Sequence, residues 1–377
     1  MRREAHLFER VAEFRALCEA ARRALSGKRP SREAMAFRFD LEAQCLALLR
    51  ELEEGTYRPR PYRTFMVTDP KPRTISAAAF RDRVVHHAVC GVMEPRFERA
   101  AITHSYACRR GKGTHRAILH ARELARRHRH FLKMDVRHFF ETVDHGVLKG
   151  QLRRLVKDRR MLWLLDLFVD LGAPGSPPGK GLPIGNLTSQ HFANHYLAGF
   201  DHHVLERMGV GGYLRYMDDL LWFDDSKARL REVERQATEY LERRLLLEVK
   251  GEATVLGPIT EGVPFLGCRI WPGVVRLDGA RRRRFLRAVR RLDRELREGT
   301  VPLEAWLRSM ESRVGMLAHR DTVALRRSVW GDAAEGDGRG VLDRGGGDGI
   351  AGAIGGGRGT RGCAEGGFLE RREGDWW

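Results

Sequence analysis

Hydrophobic positions recur at helical spacing through residues 1–55. Leu7, Val11, Phe14, Leu17 and Cys18 fall on one stripe, and a second periodic run from Leu41 to Leu52 stops at Gly55. Between Tyr57 and Ile75 proline and basic residues collect. Thr64 to Val67 reads there as a strand, with turns at Pro70 and Pro72 after it. Residues 80–99 return to helical period. In Phe131 to Val136, Leu132, Met134 and Val136 face one way, which predicts a strand with Asp135 near its end. Residues 185–205 read as a loop entering a helix. Tyr213 to Phe223 reads as two short apolar strands joined at Met217-Asp218-Asp219. An amphipathic helix over Arg229 to Leu245, a strand pair over Val263 to Trp271 and Arg-rich helix over 281–327 follow.

After Trp330 the pattern breaks. Seventeen of the last 47 residues are glycine, too few apolar groups to offset chain entropy, so disorder is expected over 331–377. That tail carries 6 basic and 9 acidic residues, so the whole-chain charge of +18 becomes +21 over the first 330 residues. A basic excess of that size in the folded part points to a polyanionic partner, nucleic acid foremost.

The six cysteines are scattered, with no CxxC pair and no zinc-like Cys/His cluster, which reads as reduced thiols in a cytoplasmic protein. The charged N-terminus does not read as a signal peptide, and no apolar run approaches the ~20 residues a membrane span needs. No membrane partner is expected.

Three carboxylates on two elements carry the candidate chemistry. Asp135 ends one strand, and Asp218 and Asp219 sit at a hairpin turn 83 residues later. Phosphoryl transfer from a nucleoside triphosphate calls for two divalent ions ~4 Å apart, held by hard oxygen ligands. Taken singly, Asp135 reads as a helix cap and the Asp-Asp pair as a turn. Together, on apolar strands, they read as a metal site, whereas Asp224-Asp225 reads as a solvated turn.

Tyr216-Met217-Asp218-Asp219 matches the YxDD signature of reverse transcriptases, and Asp135 to Phe140 resembles their first catalytic motif. Gly181 to Gln190 is similar to their dNTP and template loop, but with an IGxxxSQ form (Ile184-Gly185 and Ser189-Gln190) in place of the usual QGxxxSP. That variant resembles the enzymes of diversity-generating retroelements, within the group II intron-like superfamily. Lys71-Pro72-Arg73-Thr74-Ile75 and Phe80 to Val84 resemble fingers motifs, Ser105 to His115 the SYG/ACRxGKGTH element, and Phe265-Leu266-Gly267 the primer grip.

The resemblance covers roughly residues 55–320. It implies an α+β right-hand polymerase fold: an N-terminal helical extension (1–55), fingers (56–130), a palm (131–275, with part of the fingers at about 150–185) whose antiparallel sheet packs on helices, and a helical thumb (276–330). It implies an RNA-directed DNA polymerase copying template RNA into cDNA, error-prone at adenines. Asp135, Asp218 and Asp219, helped by the Val136 carbonyl, would hold two Mg²⁺, with Mn²⁺ a substitute. Arg73, Arg81, Phe140, Ile184, Gly185, Gln190 and Tyr216 would surround the dNTP, Phe140 screening the sugar 2′ position. Lys250 falls near the family's lysine general acid. Arg109, Lys112, Arg281, Arg284 and Arg287 would contact template RNA or primer. A small basic oligomeric accessory protein is the implied partner. The alternatives are a group II intron or retron-like enzyme and a catalytically silent RNA-binding relative.

Overall fold

The computed structural model describes residues 5–26, 31–68, 72–317 and 320–330. Lys71, Pro70, Cys363 and the glycine-rich stretch 331–377 lie outside the described residues. The chain forms two compact units, one reaching to Glu261 and one beginning at Gly262.

The first unit opens with helices Phe8–Val11, Phe14–Leu25, Arg32–Phe39 and Leu41–Glu53. Leu7, Val11, Leu17 and Cys18 are buried as the stripe predicts. Small residues Ala20, Ala21 and Ala24 let helix Phe14–Leu25 lie close against helix Phe80–Ala100. Strands β1 (Arg63–Val67) and β2 (Arg73–Ala77) make an antiparallel hairpin, and β1 is exposed along its length.

A four-stranded antiparallel sheet forms the centre. Its strands are β3 (His130–Met134), β4 (Gly212–Tyr216), β5 (Asp219–Asp224) and β6 (Val255–Pro258), in the order β4-β5-β3-β6. Leu220 to Phe223 are all buried, because β5 lies inside the sheet with both faces covered; such a strand reads as a continuous apolar run. Helix Lys227–Leu245 covers one face with Leu230, Val233, Ala237 and Leu241, spaced three or four apart.

In the second unit, β7 (Val263–Phe265), β8 (Cys268–Ile270) and β9 (Val275–Leu277) form an antiparallel sheet. Helices Gly279–Arg297, Leu303–Leu317 and Val323–Trp330 follow. Asp278 caps the first by accepting from the Arg281 amide at 2.7 Å. Phe285, Val289 and Leu292 recur at helical spacing and make a small core with Met310 and Leu317. The architecture is α+β, as the resemblance implies. Among the described residues no helix is long and apolar enough to cross a membrane, and Cys18, Cys45, Cys90, Cys108 and Cys268 are free thiols.

Candidate active site

Strands β4 and β5 are joined by two residues, Met217 and Asp218, with Tyr216 paired to Asp219 across the hairpin. Met217 adopts φ +56°, a left-handed conformation that a non-glycine residue takes only when its surroundings enforce it. The enforcing group is Arg215. Its side chain is fully buried, and Nη1 donates to the Met217 carbonyl at 2.9 Å. Nε and Nη2 grip the buried Asp201 carboxylate (Nη2–Oδ2 2.6 Å), which also accepts from the Tyr213 hydroxyl at 2.7 Å.

The loop before Thr114 supports the hairpin from the β4 edge. The Arg215 amide donates to the His104 carbonyl at 3.0 Å and the Tyr106 amide to the Arg215 carbonyl at 2.9 Å. Thr114 Oγ1 donates to the Tyr216 hydroxyl at 3.1 Å. The Ser105 to His115 segment is therefore a brace for the hairpin rather than a phosphate loop.

Asp135 follows the last residue of β3, where Met134 pairs with Leu220. Continuing that register sets Asp135 level with Asp219, with Asp218 at the adjoining turn. The crowding is felt electrostatically. Burial, then the neighbouring Asp219 and Asp135 carboxylates, push the Asp218 carboxyl up to about 7, against an opposing pull from a backbone hydrogen bond and from Arg73. Asp219 Oδ1 pairs with Lys133 Nζ at 3.0 Å. Lys133 lies two residues before Asp135 on the same face of β3, and the sequence pattern did not single it out.

On the other side of Asp135, residues 248–250 run antiparallel to 135–137. The Lys250 amide donates to the Asp135 carbonyl (2.9 Å) and the Arg137 amide to the Glu248 carbonyl (2.8 Å). In this pairing the bonds flank Val136, so its own carbonyl points away from residues 248–250. Arg137 clamps the pair by meeting Glu248 at 2.7 Å and Glu252 at 2.8 Å. Lys250 thus sits beside Asp135 although the run after it, Gly251-Glu252-Ala253, is a short 3₁₀ turn rather than a basic one.

The segment Gly181 to Gln190 is tied to both neighbours. The Leu182 amide donates to the Phe140 carbonyl at 2.6 Å, and the Ser76 amide of β2 donates to the Ile184 carbonyl at 2.7 Å. Gly185 has φ +118°, and a Cβ there would lie 2.9 Å from Ile75 Cγ2 and 3.2 Å from the Ser76 carbonyl oxygen. Only glycine allows this approach. Phe140, half-buried, follows Phe139, which is in the core. Gln190 lies half-buried on helix Leu187–Tyr196, which Thr188 fastens to His86 of helix Phe80–Ala100 at 2.9 Å.

Of the guanidinium groups expected at phosphates, Arg73 lies near enough to act on Asp218. Arg81 is paired with Glu51 and lies over the Tyr57 ring. Arg109 is engaged by Glu98 through two nitrogens (3.0 and 2.9 Å) and by the Ile102 and Ser105 carbonyls. Both side chains are partly buried and engaged by these partners. Lys112 Nζ donates to the Thr103 carbonyl and lies over the Tyr106 ring. In the second unit, Leu266 (φ +47°) and Gly267 (φ +69°) turn between β7 and β8, and Phe265 is a core residue. Arg281 lies over Gly267, while Arg284 and Arg287 are exposed on helix Gly279–Arg297.

The donor set of Asp135, Asp218 and Asp219 suits a hard divalent ion, and the Asp218 carboxyl, raised first by burial and then by Asp219 and Asp135, is one that such a charge would help to ionise. Among the described residues no three His, Cys, Asp or Glu side chains are arranged as a ready metal cage. The ion pair to Lys133 holds Asp219 in place.

Asp135, Asp218 and Asp219 thus lie at neighbouring strand ends of one antiparallel sheet on an α+β frame. The sequence matches the family "Reverse transcriptase (RNA-dependent DNA polymerase)" over residues 68–270, and the chain belongs to that family. It is an RNA-directed DNA polymerase by family, and its architecture is the right-hand polymerase fold. Among curated proteins it is similar to protein YkfC of Escherichia coli, 27% identical over 305 residues, covering 67% of this chain and 80% of that one. It is 26% identical over 172 residues to the group II intron-encoded protein LtrA of Lactococcus lactis, covering 44% of this chain and 29% of LtrA. Among solved structures, apo telomerase from Candida tropicalis matches with a TM-score of 0.45 and 12% identity, over 60% of this chain and 58% of that one.

Proposed function

We propose that this chain copies a template RNA into cDNA by in-line attack of a primer 3′-hydroxyl on the dNTP α-phosphorus. The observation that carries the reading is the convergence of Asp135, Asp218 and Asp219 at one end of the β3-β5-β4 sheet, with the Asp218 carboxyl pushed up to about 7. Two Mg²⁺, for which Mn²⁺ substitutes, bound by these carboxylates and the Val136 carbonyl, would activate the hydroxyl and neutralise the leaving pyrophosphate. The chain's own residues position the reactants. Arg73 faces the triphosphate, the Phe140 ring excludes a ribose 2′-hydroxyl, and Tyr216, Gly185 and Gln190 line the nucleotide. Lys250, whose backbone pairs with Asp135, is the candidate to protonate the leaving group. Arg284 and Arg287 track the duplex backbone, with Phe265 to Gly267 gripping the primer. Primer extension on an RNA template with Mg²⁺ and dNTPs tests this; RNA binding without extension supports the silent relative instead.

Within the class we assign the chain to an error-prone enzyme of a diversity-generating retroelement. Ile184 supports this. An aliphatic side chain at this position supplies no hydrogen bond near the incoming base, which relaxes base selection. Such an enzyme works in the cytoplasm with a small basic oligomeric accessory protein. The second reading, a group II intron or retron-like enzyme, draws support from the intron-encoded relatives: LtrA, the putative COX1/OXI3 intron 1 protein of Saccharomyces cerevisiae and nuclear intron maturase 1 of Arabidopsis thaliana. A paired template and variable repeat in the neighbouring DNA, differing at adenines, separates the two. The subtype is lost if Ile184→Gln leaves misincorporation opposite adenine unchanged.

A further inference from the structure

Helix Thr114–Arg127 runs along the β4 edge of the sheet, starting where Thr114 meets Tyr216. Its outer face lines an open groove of about 760 Å³ that the catalytic account leaves unused. Lys112, Arg116, Arg122, Arg126 and Arg127 line it against a single acid, Glu123, which pairs with Arg127. Arg116, Glu123, Arg126 and Arg127 are exposed, and Arg116 and Arg126, both lining the groove, lie ten residues, about 15 Å, apart along the helix.

Two flat rings, His120 and the buried Tyr106, line the groove, with Lys112 over Tyr106. His104 stacks on His120 with centroids 4.5 Å apart, and Tyr106 leans on His120 at 5.7 Å. Burial, then His104 and other neighbours, hold His120 down to about 4; burial and Lys112 lower His104. Both rings are therefore neutral at pH 7. Cations on a helix face beside neutral rings suit a strand whose phosphates are paired and whose bases are unstacked. Duplex would offer the phosphates but not the bases.

We propose that this groove holds the unpaired RNA template on its way to the catalytic hairpin. The proposal rests on the polymerase reading above, because only a copying enzyme meets a template that is single-stranded beside a paired primer. Lys112 and Arg116, which line the groove, flank Thr114, whose hydroxyl meets the Tyr216 hydroxyl, so the near end of the groove lies beside the Tyr216 to Asp219 hairpin.

The test compares the full-length parent with an Arg116→Glu/Arg126→Glu variant on two probes, a blunt RNA–DNA duplex and the same duplex with an RNA overhang. Both side chains are exposed, and circular dichroism checks that the variant folds. The expected result is roughly tenfold weaker binding of the overhang probe alone, with its salt slope smaller by about 1.4 for two lost phosphate contacts. An Arg116→Lys/Arg126→Lys variant should restore both. Unchanged overhang affinity and slope overturn the proposal. So does an equal loss on both probes, which would make the face a duplex contact. Unchanged RNA binding with lost binding of poly-glutamate would assign the groove to an acidic protein. A parent that binds the overhang through this face yet extends no primer leaves the groove standing and removes the polymerase reading.

Discussion

Arg215 and Asp201 meet at 2.6 Å with both side chains fully buried, directly behind the Met217-Asp218 turn. The same guanidinium donates to the Met217 carbonyl, so the pair sets the backbone that presents Asp218. Asn194 adds its side-chain and backbone oxygens at 3.1 and 3.2 Å, which satisfies the remaining donors. Removing one partner leaves a buried charge uncompensated. Asp201→Ala should therefore cost about 3–5 kcal/mol in chemical denaturation. The Asp201→Leu/Arg215→Met double variant should recover much of that stability yet still lose activity, since Met217 is no longer held. A double variant as active as the parent would show that the pair serves the fold alone.

The raised Asp218 carboxyl makes a pH prediction. Its folded pKa, about 7, lies above the ordinary 3.8, so the fold favours the protonated form. The stabilisation is present in full below about pH 4 and is lost as pH rises through 7. In metal-free buffer the melting temperature should fall over that window from this source. Asp218→Asn should remove that part of the pH dependence and stabilise the metal-free protein at pH 8 by about 1–2 kcal/mol, after allowance for solvent screening. Adding Mg²⁺ should stabilise the parent more than the variant. Identical pH curves for the two proteins would remove the account of an Asp218 carboxyl raised by burial and by its neighbouring carboxylates.

Gly185→Ala brings a Cβ to 2.9 Å from Ile75 and imposes φ +118° on a residue with a side chain. A loss of about 1–3 kcal/mol is expected. Because Gly185 joins the IGxxxSQ segment to β2, KM for dNTP should rise in steady-state extension, with RNA affinity unchanged. A variant with parental KM would separate this loop from the nucleotide site.

Phe140→Ala tests the sugar screen. Discrimination against ribonucleotides should drop by about 10–100-fold, measured as the ratio of kcat/KM for dNTP and rNTP. An unchanged ratio assigns Phe140 to packing on Phe139, with which it makes an edge-on contact at 5.7 Å.

Much of this was legible in the chain. The apolar runs flanking Met217-Asp218-Asp219 read as two strands, and the structure has them at Gly212–Tyr216 and Asp219–Asp224, with Asp219 opening the second strand rather than lying in the turn. Asp224 and Asp225 hold turns, accepting from Ser226 and Arg129 amides, as a solvated acidic pair should. Arg81 and Arg109 show the limit. A basic residue in a phosphate-binding motif looks the same whether it meets a triphosphate or a carboxylate brought in from Glu51 or Glu98, 30 and 11 residues away. Lys133 was missed because its partner, Asp219, becomes adjacent only through the β3-β5 register. Asp201 was missed for the same reason. An aspartate in an amphipathic helix shows nothing of a buried arginine until the helix is packed on the sheet.

The central claim is that Asp135, Asp218 and Asp219 perform nucleotidyl transfer on an RNA template. Primer extension with dNTPs and Mg²⁺, comparing the parent with a folded Asp218→Ala variant, measures it most directly. Extension by the parent, reduced by about a thousandfold or more in the variant, is the predicted result, since the lost carboxylate supports both charge neutralisation and positioning. Extension by Asp218→Ala at the parental rate would contradict the account.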